Sequence, residues 1–460
     1  MRYHLRISGA HWNSLRAHLF PGDGLESVAL LLCGLHRGED VTALCVRQIL
    51  PIPDHACSIR RPDLLQWPTR LGLPLFETAM REDCAVVKIH SHPGGFAEYS
   101  RQDDQSDAEL FGALSGWTNG YVPHGSAVVL PGGKIFGRVV GPAGDFLALD
   151  RVAVAGGDVD FFDQDREITT SEADLRNVQA FGPGTVRILK SLRIGVAGCS
   201  GTGSWVVEML ARLGVGGLVL VDPDVIQAKN LNRIINSTRA DADAQRPKVE
   251  VLKRAVEAMG YSTTVRAVRS DLRHQPVIDC LAGCDVLFGC LDSADGRELL
   301  NRIATFYCLP YFDVGVRLDA DKKGGIDYVG GGCHYLQPGE SSLLSRGVIS
   351  VDAINADSLF RSDPVEYEKQ RRVGYLRNVQ VDSPAVSSVN GLYASLAVND
   401  FLARVHPFRY ESNDDVDAVL FNLSGGYAES RSFPAVCPFL NRRVGLGDRS
   451  PLLDLAWPST

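Results

Sequence analysis

Up to about residue 140 the chain alternates short apolar runs with turn residues, a pattern that predicts a mixed α and β domain. The run Glu26-Ser-Val-Ala-Leu-Leu-Leu-Cys-Gly34 reads as a buried strand, and the stretch from Ser126 to Val140 reads as a hairpin turning at Pro131-Gly-Gly133. Between Gly141 and about Asp174 acidic residues multiply around Gly156-Gly157, the composition of a connecting segment. From Leu192 the pattern becomes α/β: an apolar strand Arg193-Ile-Gly-Val-Ala197, a glycine turn, a helix from about Gly203 to Leu213, and a second strand Gly217 to Asp222. The stretch from Ser383 to Phe401 reads as a late helix whose apolar face is core, with no catalytic role for Asn390. The pattern divides the chain into residues 1–145, an acidic linker 146–174, an α/β domain 175–430 and a tail 431–460. There is no internal repeat.

Composition narrows the classes. A chain of 460 residues exceeds one ordinary core, and 45% hydrophobic with 22% charged residues is the balance of a soluble globular protein. A net charge of −8 and a pI near 5.8 argue against a nucleic-acid binder. No stretch approaches the roughly 18 apolar residues of a membrane span, and the start Met1-Arg-Tyr-His-Leu-Arg6 has no long apolar targeting segment. Eleven cysteines, mostly among apolar neighbours, read as reduced thiols in a cytoplasmic protein.

Two constellations carry chemistry. In the first, His90-Ser-His92-Pro93 is followed by Ser100-Arg-Gln-Asp103. Strand alternation points His90 and His92 to one face, Pro93 ends the strand, and a short turn brings Asp103 round as third ligand. Three ligands of this type leave a position open on zinc, the arrangement of a catalytic centre. The pattern H-x-H-P-x(6)-S-x-x-D resembles that of the JAMM (MPN-type) metalloproteases, whose best-characterised members cleave ubiquitin-like tails. The resemblance implies that His90, His92 and Asp103 bind zinc, that Ser100 helps hold the oxyanion, and that Glu26 is the general base. A solvated residue preceding a buried strand is the alternative for Glu26.

In the second, strand 193–197 runs into Gly198-Cys-Ser-Gly201-Thr-Gly203, a turn that lets backbone amides and a helix N-terminus approach phosphates. Alone it would also suit a hydride-transferring dinucleotide domain. Downstream come Asp222, Asp224, Asn230, Asn232, Arg233, Lys248, Asp292, Arg297 and Asn301. Over roughly residues 175 to 405 this resembles the Rossmann-like adenylyltransferases typified by ThiF, MoeB and the ubiquitin-activating enzymes, in which a C-terminal glycine carboxylate attacks the α-phosphate of ATP. The resemblance implies Gly198, Gly201 and Gly203 at the nucleotide and Asp222 on its ribose. It puts Asn230, Arg233 and Lys248 on phosphates, magnesium on Asp292, and makes Arg176 an arginine finger reaching a second subunit in a homodimer.

The later half departs from that family. Where relatives carry paired C-x-x-C zinc ligands, this chain has Pro338-Gly-Glu-Ser-Ser342-Leu-Leu-Ser345 and a single Cys437-Pro-Phe-Leu440. A structural zinc is therefore not expected, since hydroxyls are poor zinc ligands beside thiolates. An acyl acceptor is left among direct transfer to a partner, Cys333 or Cys437, and an oxyester on Ser342 or Ser345. Together the resemblances imply a bifunctional enzyme that adenylates a ubiquitin-like protein and cleaves its tails or conjugates. Zinc, ATP and magnesium are implied, as are a ubiquitin-like protein and a ubiquitin-conjugating-like enzyme as partners; no nucleic acid and no membrane is. Sulfur-carrier processing and activation, or an inactive scaffold that only binds ubiquitin-like proteins, remain as alternatives.

Overall fold

The computed structural model describes residues 1–117, 120–164, 169–321, 323–372 and 385–455. The chain forms two units, one of residues 1–166, 305–308 and 442–450, the other of 167–304, 309–441 and 451–460.

The first unit is built on a nine-stranded sheet of β1 (Arg2–Ser8), β2 (Val28–Arg37), β3 (Val41–Pro51), β6 (Ala85–Ser91), β7 (Gly125–Val129), β8 (Ile135–Val140), β9 (Phe146–Ala148), β10 (Arg151–Ala155) and β11 (Val159–Asp163), with the two-residue strands β4 (Ile59–Arg60) and β5 (Leu65–Gln66) forming a separate ribbon. The spatial order is β11-β10-β1-β3-β2-β6-β7-β8-β9. Alternation in the central strand β2 explains its layers. Ala29, Leu31, Cys33 and Leu35 face one core with helix Gly9–Leu19, while Val28, Leu30 and Leu32 face another built with helices Leu73–Glu82 and Arg101–Ser115. The same alternation in β6 sends Val87 and Ile89 to the first core and Val86, with Lys88 and His90, to the second face.

The acidic linker expected over 146–174 is corrected by this sheet. Residues 146–163 are strands of it, and their acids have partners: Asp150 accepts from the Tyr3 amide (2.9 Å) and Asp163 pairs with Arg151 (2.5 Å). Acid-rich composition here marks strand ends and turns. Residues 165–168 lie outside the described ones. The tail expected over 431–460 is corrected too. Gly445 O accepts from the Gly34 amide (3.2 Å), and Asp448 takes the Arg37 amide (2.7 Å) and His36 Nδ1 (2.9 Å), so residues 442–450 belong to the first unit.

The second unit holds an eight-stranded sheet of β12 (Arg193–Ala197), β13 (Gly217–Val221), β14 (Thr264–Val268), β15 (Val286–Gly289), β16 (Tyr311–Ala320), β17 (Ile326–Leu336), β18 (Ala418–Asn422) and β19 (Tyr427–Arg431). Its order is β14-β13-β12-β15-β16-β17-β18-β19, parallel from β14 through β16 and antiparallel beyond. The chain leaves β12 toward β13 and later returns on its other side as β15, so the carboxyl ends of β12 and β15 flank a topological switch point, where open α/β sheets bind ligands. The expected late helix is Ser387–Val405, buried as expected along Tyr393, Ala397 and Phe401; Ser383 and Pro384 lie outside the described residues. Near its end Arg404, 1% exposed, stacks over Tyr335 (3.7 Å) and hydrogen-bonds Asp400 (3.3 Å) and the carbonyls of Asn413 (3.2 Å) and Val416. Arg404→Met should cost about 3 kcal/mol, because it takes this donor from the buried carbonyls of Asn413 and Val416 and leaves Asp400 paired with Arg409. Urea unfolding of the full chain checks it, and a loss below about 1 kcal/mol would refute that account.

Candidate metal centre and nucleotide site

The first centre follows from strand register. β2 and β6 run antiparallel with Val28 opposite His90, which sets position 26 opposite position 92. Bonds from the Ser91 amide to Ser27 O (3.0 Å) and from the Ser27 amide to Ser91 Oγ (3.0 Å) continue the pairing. Glu26 Oε1 consequently stands 4.0 Å from His92 Nε2. Asp103 comes from the first turn of helix Arg101–Ser115, where Ser100 is the N-cap and exchanges a capping box with it. The ligand atoms of His90, His92 and Asp103 lie within 4.8 Å of one another, the single such group of His, Cys, Asp or Glu among the described residues. His90 Nε2 is 3.1 Å from Asp103 Oδ1, His92 Nε2 is 3.7 Å from Oδ2, and the two Nε2 atoms are 3.0 Å apart.

These residues suit a zinc ion. His92 donates Nδ1–H to Phe96 O (2.8 Å), which turns the lone pair of its Nε2 inward. Two imidazole lone pairs and a carboxylate facing one point repel unless a cation lies between them. Burial lowers the His90 pKa, favouring the neutral ring a metal requires. Burial opposes ionisation of Asp103, but where the ring Nε2 atoms carry protons, hydrogen bonds from His90 and His92 outweigh it and hold the carboxyl well below the usual range. Glu26 is different: burial pushes it up to about 7, with His92 pulling the other way, so at neutral pH it can both take and give a proton. Ser100 is beside the group, and its hydroxyl donates to Asp103 Oδ2 (2.7 Å).

Behind the ligands lies a buried polar group that the motif did not announce. Asp107, one helical turn beyond Asp103, is fully buried; it pairs with Lys88 and accepts from Arg138 (2.7 Å) and Ser126. Lys88 sits two residues before His90, so one ion pair ties the helix that carries Asp103 to the strand that carries His90. A lysine inside the apolar run Ala85-Val-Val-Lys88-Ile was the available signal. The centre opens into a cleft of about 830 Å³, walled along the helix by Ser106, Leu110 and Leu114 and opposite by Leu65, Trp67 and Phe76.

In the second unit the glycine turn lies at the switch point. Gly198 has φ +88°, and its amide bonds Val221 O (2.9 Å) while the Cys290 amide bonds Ala197 O (2.8 Å), so the turn is held between β13 and β15. The following helix is Gly201–Arg212. Asp222, 5% exposed at the end of β13, accepts from the amides of Cys199 (2.8 Å) and Asp224 (2.9 Å). Lys248 is buried but kept charged by Asp222 (3.5 Å) and Asp224 (2.7 Å). Asn230 caps its own turn through Oδ1 and the Gln227 amide (2.9 Å). Arg233 reaches the glycine turn, its Cδ lying 3.2 Å from where a Cβ on Gly201 would stand. Its guanidinium hydrogen-bonds Lys229 O (2.9 Å) and pairs with no carboxylate among the described residues, which leaves its charge for an anion. Asp292 is exposed just beyond β15, and one carboxylate there is what a magnesium ion shared with phosphates needs. Arg176 is exposed on helix Leu175–Ser191 and bonds Gln179 (2.9 Å).

Ser342 and Ser345, expected as possible acyl acceptors, lie in different surroundings. Ser342 is 2% exposed and its Oγ is held against Cys437 Sγ (3.1 Å) and Ser345 Oγ (3.4 Å). Ser345 is exposed but donates to Ser342 O (3.2 Å). No imidazole or carboxylate hydrogen-bonds either hydroxyl among the described residues, and a serine without a base is a poor nucleophile. Cys333 is fully buried, and burial raises its thiol pKa far above the usual value.

A glycine turn and charged groups gathered at the switch point of a doubly wound sheet define a nucleotide-binding α/β unit. The chain belongs to the ThiF family, whose profile matches residues 173–405. The profile of prokaryotic homologs of the JAB domain matches residues 8–133, so a JAB domain is fused to a ThiF-type adenylyltransferase domain. Among curated relatives, the SAMP-activating enzyme E1 of Haloferax volcanii is 35% identical over 130 residues, 28% of this chain and 47% of that protein. The molybdopterin-synthase adenylyltransferase of Salmonella typhimurium is 32% identical over 113 residues, 25% and 45% of the two chains. Ubiquitin-like modifier-activating enzyme 5 of Drosophila persimilis is 26% identical over 181 residues, 37% and 44%. The chain thus spans less than half the length of these relatives. A crystal structure of Escherichia coli MccB with ATP is 18% identical, with a TM-score of 0.43 over 58% of this chain and 73% of that one, a score that supports no argument.

Proposed function

We propose that the chain is a bifunctional enzyme that adenylates the C-terminal glycine of a ubiquitin-like protein and, with a separate zinc centre, hydrolyses the amide bond after that protein's tail. The observation that carries the proposal is the convergence of His90, His92 and Asp103 beside Glu26 at the head of a long cleft, in a chain of the ThiF family. The helix along the cleft has 15 residues, about 22 Å, which six or seven residues of extended peptide would cover at ~3.3 Å each.

When bound by these ligands, zinc supplies Lewis acidity that polarises a carbonyl and lowers the pKa of a water toward about 7. Glu26 takes the proton of the attacking water and returns it to the leaving amine, while Ser100 and Asp107 keep Asp103 and its helix in place. In the second unit a glycine carboxylate oxygen bonds the α-phosphorus of ATP, and the bond to the bridging oxygen breaks with its electrons leaving on pyrophosphate. Arg233 and Lys248 face that growing charge, and a magnesium ion, which Asp292 would hold, would add positive charge there. With Ser342, Cys333 and Cys437 buried and Ser345 without a base, the thiol of a conjugating-enzyme-like partner attacks the acyl carbon of the adenylate directly, forming a thioester as AMP leaves. Arg176 completes the site of a second subunit in a homodimer. A cytoplasmic setting suits its eleven free thiols; among the described residues no helix is long and apolar enough to cross a membrane. Similarity to the Salmonella molybdopterin-synthase adenylyltransferase favours a second reading, in which the protein activated is a sulfur carrier.

The purified full chain is expected to hold one zinc, lost when His90 and His92 are both changed to Ala, and to catalyse ATP–pyrophosphate exchange only with a protein ending in glycine. Metal analysis and radiolabelled exchange measure these. Zinc retained by the double variant would remove the metal centre, and absence of exchange with any such protein would remove the adenylation. Transfer of the acyl group to a protein amine rather than to sulfide decides between conjugation and sulfur carriage.

A further inference from the structure

The late helix Ser387–Val405 brings a polar side chain to the glycine turn that spacing along the sequence did not reveal. Asn390 is 5% exposed. Its Oδ1 accepts from Thr202 Oγ1 (3.4 Å), but among the described residues neither N–H of its amide nitrogen has an acceptor. That nitrogen lies over the first turn of helix Gly201–Arg212: a Cβ on Gly201 would stand 2.1 Å from Asn390 Nδ2 and 3.2 Å from Arg233 Cδ. Three contacts fix the approach. Trp205 Nε1 donates to Ser387 Oγ (3.2 Å), the Trp205 ring lies 3.3 Å from where a Cβ on Gly391 would be, and Asn232 Nδ2 donates to Ala385 O (2.9 Å).

A helix N-terminus offers unpaired amides to an anion whatever surrounds it. Here the amide of a residue only 5% exposed is aimed at the same place with two unused donors. Its neighbour Arg233 is a cation without a carboxylate. All three features call for oxygen atoms carrying negative charge. We infer that Asn390 binds ATP directly, donating from Nδ2 to a phosphate oxygen held at the first turn of helix Gly201–Arg212. The inference rests on the nucleotide reading of this unit. It gives the late helix a role in the site: Asn390 and Arg233 grip the phosphates from two sides, and Thr202 sets which face of the amide points inward.

The test is titration calorimetry of the full chain with magnesium–ATP and with adenosine, for wild type, Asn390→Asp and Asn390→Ser. Asn390→Asp keeps the shape but replaces the donor with an anion, so ATP affinity should fall at least tenfold while adenosine affinity stays within twofold. Asn390→Ser, smaller and uncharged, should lose less ATP affinity than the aspartate. A purely packing residue would tolerate Asp or would lose both ligands together, so ATP affinity within twofold of wild type, or equal loss of adenosine and ATP, overturns the proposal. If Asn390→Asp does not fold, the serine variant decides: unchanged ATP affinity overturns, a selective loss supports. A wild-type chain that binds ATP but exchanges no pyrophosphate removes the adenylation and leaves the phosphate contact standing. A wild-type chain that binds no ATP removes both.

Discussion

A Glu26→Gln chain should keep its zinc and lose about 100- to 10,000-fold in peptide-bond cleavage, the range that general base catalysis contributes. The amide is nearly the size of the carboxylate, and neither face of the β2–β6 pairing depends on the charge of Glu26, so the fold and the ligands stay as they are. What disappears is the group, 4.0 Å from His92, that burial has tuned to about 7. Metal content should therefore match wild type. Exchange of pyrophosphate should also be untouched, because Glu26 belongs to the other unit. Cleavage of a ubiquitin-like protein carrying a C-terminal extension measures the effect. A rate within threefold of wild type would show that another group is the base; loss of zinc would show that Glu26 is itself a ligand.

The two centres were legible in the sequence to different degrees, for a physical reason. His90, His92, Ser100 and Asp103 lie within one strand, one turn and one helix start, so period-two alternation and an N-cap nearly determine their geometry. Glu26 needed more, since only the register Val28 to His90 sets it opposite His92. The glycine turn was readable because strand, turn and helix are contiguous. Asn390 was not, because its partner Thr202 is 188 positions away and the buried face of its helix is largely apolar. The acids between Asp150 and Asp163 misled for the opposite reason: composition counts charges, but cannot tell a solvated linker from strand ends whose carboxylates take an amide or an arginine. Ser342 was hard to read for a similar reason, since replacement of a ligand pair by serines suggested nucleophiles, whereas the structure buries its hydroxyl against Cys437.

Gly203→Ala should remove ATP binding and exchange while leaving zinc and cleavage intact. A Cβ at this position would stand 1.8 Å from Gly198 O and 2.9 Å from its carbonyl carbon, both backbone atoms of the glycine turn. The turn cannot yield, because Gly198 at φ +88° is itself pressed against Cys290, whose carbonyl oxygen would be 2.4 Å from a Cβ there. Moving it would pull the turn's amides off the phosphates. Two charge-assisted hydrogen bonds lost at ~1.5 to 3 kcal/mol each amount to a fall in affinity of about 100-fold or more. Gly201→Ala is the instructive control, since its Cβ meets the end of a side chain, Asn390 Nδ2, which can swing aside without disturbing the turn. That variant should lose less ATP affinity than Gly203→Ala and should resemble the Asn390 variants. Calorimetry with magnesium–ATP ranks the two. Gly203→Ala binding ATP within threefold of wild type would mean that the turn between Gly198 and Gly203 does not hold the phosphates.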